Sequence, residues 1–227
     1  ENIGEHVGED AGEGAGEDES AEELQMEVCD REDEVWEFIE GQGSAKQRDP
    51  QWYGRVTCGG SDASALLGRG RKGYADVLKA KIAAAELGPA ARWRETGPAC
   101  WWGVFFEDAA AGVVARDLGC EIFGTESVVK VSPHQHYSPD GVAVVRISGG
   151  RYRCASDSPL PGVGRRGLPR GAPSETALTV LLEFKSPFSR RPDGEIPEDY
   201  WCQVQSGLAA IPIADAKPMA ANWYHRV

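Results

Sequence analysis

"HYSPDGVAVVRI", residues 136–147, and "TVLLEFKSP", residues 179–187, are two apolar, strand-like runs, each carrying a carboxylate where an ordinary core strand would carry none. In the first, Asp140 sits in a tight Pro-Asp-Gly turn that opens the apolar segment. In the second, Glu183 and Lys185 interrupt it. Residues two apart on a strand share a face, so Glu183 and Lys185 point one way while Leu182 and Phe184 point the other. Burying an unpaired carboxylate is costly, so the Glu183 face must meet a cation, a counter-charge or water. An edge strand with one solvated face satisfies that demand for an isolated Glu-x-Lys. Its neighbours along the chain point to something more specific.

Asp140 precedes the strand expected over 142–147, placing its side chain within reach of the end of the strand expected over 177–185. Glu107 lies in "PACWWGVFFEDAAAGVVARDL", residues 98–118, the longest expected helix, closed by Gly119. Gly103, four residues before Glu107, shares its helix face and leaves the adjoining surface open. Three carboxylates converging with one lysine make a hard-oxygen donor set suited to Mg²⁺, with Mn²⁺ as a substitute. Carboxylates holding divalent ions, plus a group that orients or deprotonates water, are the parts needed for metal-assisted phosphodiester hydrolysis. Bound cations would disfavour the charged form of Lys185, which suits it to act as that base or as a transition-state clamp.

"GVFFE" (103–107), "SPDG" (138–141), "LEFK" (182–185) and "YWCQVQ" (200–205), in that order, resemble the PD-(D/E)XK nuclease superfamily. Within it they resemble the YqaJ-like viral recombinase family, the lambda-exonuclease-like branch, over about residues 50–227. The resemblance implies an α/β fold with a restriction-endonuclease-like core, a central mixed sheet flanked by helices. It implies that Asp140 and Glu183 bind metal with the backbone carbonyl of Phe184, and that Glu107 completes the shell of a second ion. Lys185 would act on the nucleophile, and Gln203, one helical turn after Tyr200, would close the site. "QWYGRVTCGGSDA" (51–63) offers Trp52, Arg55, Thr57 and Ser61 in the order of a family segment that grips the 5'-phosphate of a DNA end. Ser138 matches a phosphate-contacting serine, and Tyr200 belongs with this DNA-binding set.

The implied function is a metal-dependent DNA exonuclease, 5' to 3' on duplex ends, in viral-type recombination or genome processing. Its implied partners are double-stranded DNA ends and a single-strand annealing protein, and its assembly a monomer or a ring-shaped trimer. A structure-specific or restriction-like endonuclease is the alternative within the same chemistry. A catalytically silent DNA-binding module is the alternative outside it, disfavoured because all four catalytic side chains are present.

The totals agree once they are divided. The chain has 227 residues, 41% hydrophobic, which suits one domain with a sizeable core. Its net charge of −12 is concentrated: residues 1–40 hold 17 of the 36 acidic residues and one of the 24 basic ones, leaving 19 acidic against 23 basic beyond them. Residues 1–40 therefore read as an acidic, mostly disordered tail, with at most a helical turn in "EVWEFIEG" (34–41). Residues 41–227 read as the nuclease domain, with a Gly/Pro/Arg-rich insertion at about 148–175 that includes Arg165, Arg166 and Arg170. Ser61 or Asp62 should cap a short helix, a further helix should span about 197–210, and a closing strand should follow at 220–227.

Six scattered cysteines without a Cys-x-x-Cys pair argue against a zinc ribbon or a disulfide scaffold, and for an intracellular, reducing compartment such as cytoplasm or nucleus. No apolar run reaches the roughly 20 residues that span a bilayer, so no membrane role is expected. His134 and His136 lack a third His or Cys at ligand spacing and read as strand-edge residues. Trp101 and Trp102 read as core, Trp201 as a candidate DNA contact, and "GRGRKG" (68–73) as a basic turn touching the DNA backbone.

Overall fold

Two antiparallel strands whose apolar residues fill both faces carry the architecture. In the computed structural model, which describes residues 16–43, 46–47, 49, 56–88, 97–148, 151–152, 175–186 and 196–214, β3 (Gly141–Ser148) pairs along its whole length with β5 (Glu175–Leu182). The short β4 (Arg151–Tyr152) adds to the other edge of β3, giving the order β4-β3-β5. A separate hairpin joins β1 (Val129–Ser132) to β2 (Gln135–Tyr137). The helices are α1 (Gly16–Gly41), α2 (Ala63–Leu66), α3 (Tyr74–Leu87), α4 (Pro98–Leu118) and α5 (Glu198–Ala210), with a 3-10 turn at Gly60–Asp62 before α2.

The run "VAVV" in β3 is apolar at every position because neither face is solvated. Val142 and Val144 pack with Ala177 and Leu181 against α1 and the end of α5, around Val28, Val35, Leu208 and Ile211. Ala143 and Val145 pack with Leu178, Val180 and Leu182 against Val114 and Leu118 of α4. The protein is thus a mixed α/β structure in which helices cover both faces of a small sheet. The ladders among the described residues are antiparallel, so the expected mixed sheet is not what these strands form; the parallel element seen is a single bridge between Cys58 and Gln135.

Several boundaries follow from local chemistry. Pro98 occupies the first turn of α4, where its missing N–H costs nothing, and Gly119 ends the helix in the left-handed region (φ 63°, ψ 37°). Asp62 stands at the position before α2 but makes no side-chain cap bond to that helix; its carboxylate instead accepts the Gly59 N–H at 3.0 Å and closes the 3-10 turn. Cys29, Cys58, Cys100, Cys120 and Cys202 are free thiols. Among the described residues no helix is long and apolar enough to cross a membrane.

Two further expectations are overturned. The acidic segment is not disordered from Gly16 onward: it forms α1, because Leu24, Val28, Val35, Phe38 and Ile39 recur at helical spacing and meet the sheet. Residues 1–15 lie outside the described part. Trp101 and Trp102 are not core but 65% and 41% exposed, since α4 buries its last turns and its first turns project. Trp101 stacks on Phe105 and Trp102 leans on Phe106 along the helix itself. The 220–227 strand, Trp52 and Arg165, Arg166 and Arg170 lie outside the described residues.

If α1 belongs to the fold, truncating its fully buried Val35 should matter far more than truncating its exposed neighbour. Val35→Ala is expected to lower the unfolding free energy by about 2 kcal/mol, and Trp36→Ala by less than about 0.5 kcal/mol. Urea titration of both variants checks this, and equal effects would mean the helix is not docked.

Candidate active site

The β3–β5 register sets the site. Gly141 pairs with Leu182, so Asp140 and Glu183 lie next to each other just beyond the last paired residues. Their side chains are tied from several directions. Asp140 Oδ2 accepts the backbone N–H of Phe184 at 2.5 Å. Glu183 Oε2 accepts the Tyr137 hydroxyl at 2.7 Å, while Oε1 accepts both the Lys185 ammonium and the Gln203 amide. Leu182 and Phe184 turn to the opposite side and join the core under α4, as the strand alternation requires.

Each element delivers one part. β5 and the three residues after it carry Glu183 and Lys185, the turn into β3 carries Asp140, and α5 carries Gln203 with Tyr200 one turn earlier. The Lys185 ammonium lies 5.6 Å from the centre of the Tyr200 ring. Glu107, half-buried on α4, is near enough for its charge to act on Asp140. Burial and the Glu183 charge push the Asp140 carboxyl up to about 8, with Lys185 pulling it back and Glu107 adding to the rise. Burial works to lower Lys185, but the Glu183 and Asp140 charges outweigh it and hold the ammonium above its ordinary value. Within the protein's own field Lys185 is therefore a firm cation.

The residues suit a hard cation in kind. Asp140 and Glu183 are carboxylates held against mutual repulsion, and the Phe184 carbonyl sits on the backbone between Glu183 and Lys185. They suit it less in number, because the described residues contain no group of three or more His, Cys, Asp or Glu close enough to hold one ion. Glu107 stands off from the pair rather than completing a three-carboxylate cage. His134 and His136 do not form a metal pair either: His134 is exposed, and His136 Nδ1 lies 2.7 Å from Thr57 Oγ1.

The phosphate-gripping segment is placed in part. Thr57 lies beside β2 through its contact with His136, Ser61 is exposed on the 3-10 turn, and Arg55 and Trp52 fall outside the described residues. Ser138, two residues before Asp140, has a buried hydroxyl oxygen with no hydrogen-bond partner among the described residues. Such an oxygen is costly unless something supplies a partner. Trp201 is 42% exposed next to Tyr200. The 68–73 turn rests on the start of α5, with Arg69 paired to Glu198 at 2.6 Å.

The profile of the YqaJ-like viral recombinase domain matches residues 51–214, which include every one of these side chains. The chain belongs to the YqaJ-like viral recombinase family. Members of this family are nucleases. Among individual proteins, the chain is 29% identical over 184 residues to Protein D345L of African swine fever virus in its Vero-adapted strain, covering 74% of this chain and 47% of that protein. The same viral protein from a Malawi tick isolate is also 29% identical, and from a South African tick isolate 28%, with the same coverage. The chain spans about half the length of these relatives. No solved structure matches it.

Sequence reasoning missed Tyr137, whose hydroxyl lies against Glu183. A lone tyrosine before a Ser-Pro-Asp-Gly turn has no signature, and only the fold brings it to Glu183.

The paired carboxylates make Asp140→Asn a sharp probe. The asparagine keeps an acceptor for the Phe184 N–H and removes one charge. Because the folded-state value of Asp140 lies above its ordinary 3.8, the parent loses stability as pH rises from about 4 to about 8, and the variant does not. In EDTA the variant is expected to be more stable above pH 8, by about 1–2 kcal/mol. Thermal denaturation across pH checks it, and a gap that shrinks with rising pH would refute the pairing.

Proposed function

We propose that this chain is a Mg²⁺-dependent deoxyribonuclease that degrades one strand of duplex DNA from its end, 5' to 3', in recombination or processing of a viral-type genome. The observation that carries the reading is the placement of Asp140 and Glu183 side by side just beyond the β3–β5 ladder, with Lys185 and Gln203 on one oxygen of Glu183. The family's PD-(D/E)XK core would place the same groups at one end of its sheet.

Asp140, Glu183 and the Phe184 carbonyl are the groups that would hold the ion, with Glu107 behind them. When bound, Mg²⁺ supplies neutralisation of phosphate charge and acidification of water. The protein's own contribution is positional. Gln203 and Lys185 fix Glu183 Oε1, and Lys185 brings a positive charge to the place where negative charge grows on the scissile phosphate. Ser138, with its uncommitted hydroxyl, is the donor for a neighbouring phosphate oxygen, and Thr57, Ser61 and Arg55 belong to the strand-end grip. Partners on this reading are duplex ends and a single-strand annealing protein.

Digestion of an end-labelled linear duplex and a covalently closed circle, with Mg²⁺ or EDTA, tests the proposal. Linear DNA is expected to be shortened in Mg²⁺ only, and faster with a 5'-phosphate, while the circle survives. Cleavage of the circle would replace this reading with the endonuclease one. Glu183→Ala should abolish cleavage with the fold intact, and Lys185→Ala should slow it by about 10²–10⁴-fold. Full activity in Glu183→Ala would end the proposal.

A further inference from the structure

Tyr137 is fully buried and donates its hydroxyl to Glu183 from within the protein, whereas Lys185 and Gln203, the other described donors to Glu183, are partly exposed. Its ring lies between two glycines from distant parts of the chain. A methyl group on Gly60, in the 3-10 turn, would come within 2.5 Å of ring carbons Cδ2 and Cε2. One on Gly207, in α5, would collide with Cζ and come within 2.5 Å of the hydroxyl oxygen. Neither position has room for even an alanine, so the two backbones hold the ring and hence the hydroxyl.

The donors on Glu183 divide by oxygen. Lys185 and Gln203, both partly exposed, take Oε1, and the fully buried Tyr137 takes Oε2. With Tyr137 in place the carboxylate plane cannot swing about its last bond without breaking a charge-assisted bond. We propose that Tyr137, gripped by Gly60 and Gly207, is a positioning residue that fixes the orientation of the Glu183 carboxylate for cation binding and catalysis. This rests on the nuclease reading of the site. A purely structural tyrosine would also seek an acceptor when buried, so the test must separate position from stability.

Tyr137→Phe removes one oxygen and keeps the ring in its cradle. Two measurements are made on the full chain: Mg²⁺ affinity by titration calorimetry, and kcat and KM for end-labelled duplex. The expected result is a 10- to 100-fold loss in Mg²⁺ affinity or in kcat, with KM for DNA unchanged and the urea midpoint close to the parent's. Gly207→Ala, which leaves the hydroxyl present but displaces the ring, should move the same two quantities in the folded fraction. Parent-like Mg²⁺ affinity and kcat in Tyr137→Phe would overturn the proposal, as would a change confined to stability. If the parent binds Mg²⁺ but cuts no DNA, the nuclease reading fails, and calorimetry on Tyr137→Phe still decides the positioning role.

Discussion

The register of β3 against β5 is the constraint from which the site follows. With Gly141 opposite Leu182, the first residues beyond the ladder are Asp140 and Glu183, and both fall at the same end of the sheet. A slip of one residue would send Glu183 and Lys185 to the face now filled by Leu182 and Phe184. That slip is opposed along the whole ladder, because Val142, Val144 and Leu181 are matched to one set of helices and Ala143, Val145 and Val180 to another. Packing far from the carboxylates therefore holds them in place.

Three elements from distant parts of the chain gather at the same end of the sheet. The 3-10 turn, β2 and α5 meet around Tyr137, and they can do so only because Gly60 and Gly207 present backbone instead of side chains. Helix α5 then serves two purposes with one surface: Gly207 contacts the tyrosine ring, and Gln203, one turn earlier, reaches Glu183. β2 likewise touches the Thr57 segment through His136 and the carboxylates through Tyr137. A strand of three residues connects the segment expected to grip a phosphate with the residues expected to cut beside it.

What could be read from the sequence was whatever depends on neighbours in the chain. α4 was legible to the residue from Pro98 and Gly119, and the opposite facing of Glu183 and Phe184 followed from strand alternation alone. Asp140, Glu183, Lys185 and Gln203 were legible because their short motifs occur in a fixed order. α1 was missed because its stripe of five apolar residues is diluted by carboxylates, so composition outweighed period. The tryptophans of α4 were misjudged because an aromatic helix suggests burial, while which half of it meets the sheet is a tertiary fact. Tyr137 was invisible for the same reason, since its meaning depends on two glycines 147 residues apart in the chain.

The site is costly to the fold, and the hydrogen bonds around it show how that cost is met. Two largely buried carboxylates side by side disfavour their own ionisation, and burial with the Glu183 charge raises Asp140 accordingly. Bonds to charged groups contribute roughly 1.5–3 kcal/mol each, and four such donors converge here: Tyr137, Lys185 and Gln203 on Glu183, and the Phe184 N–H on Asp140. Among the described residues three of them go to Glu183 and one to Asp140, so the compensation is uneven and Asp140 has the smaller share of it. A group left in that condition gains most from an added positive charge. The uneven distribution of donors thus marks Asp140 as the carboxylate through which a cation would most strongly stabilise the folded chain.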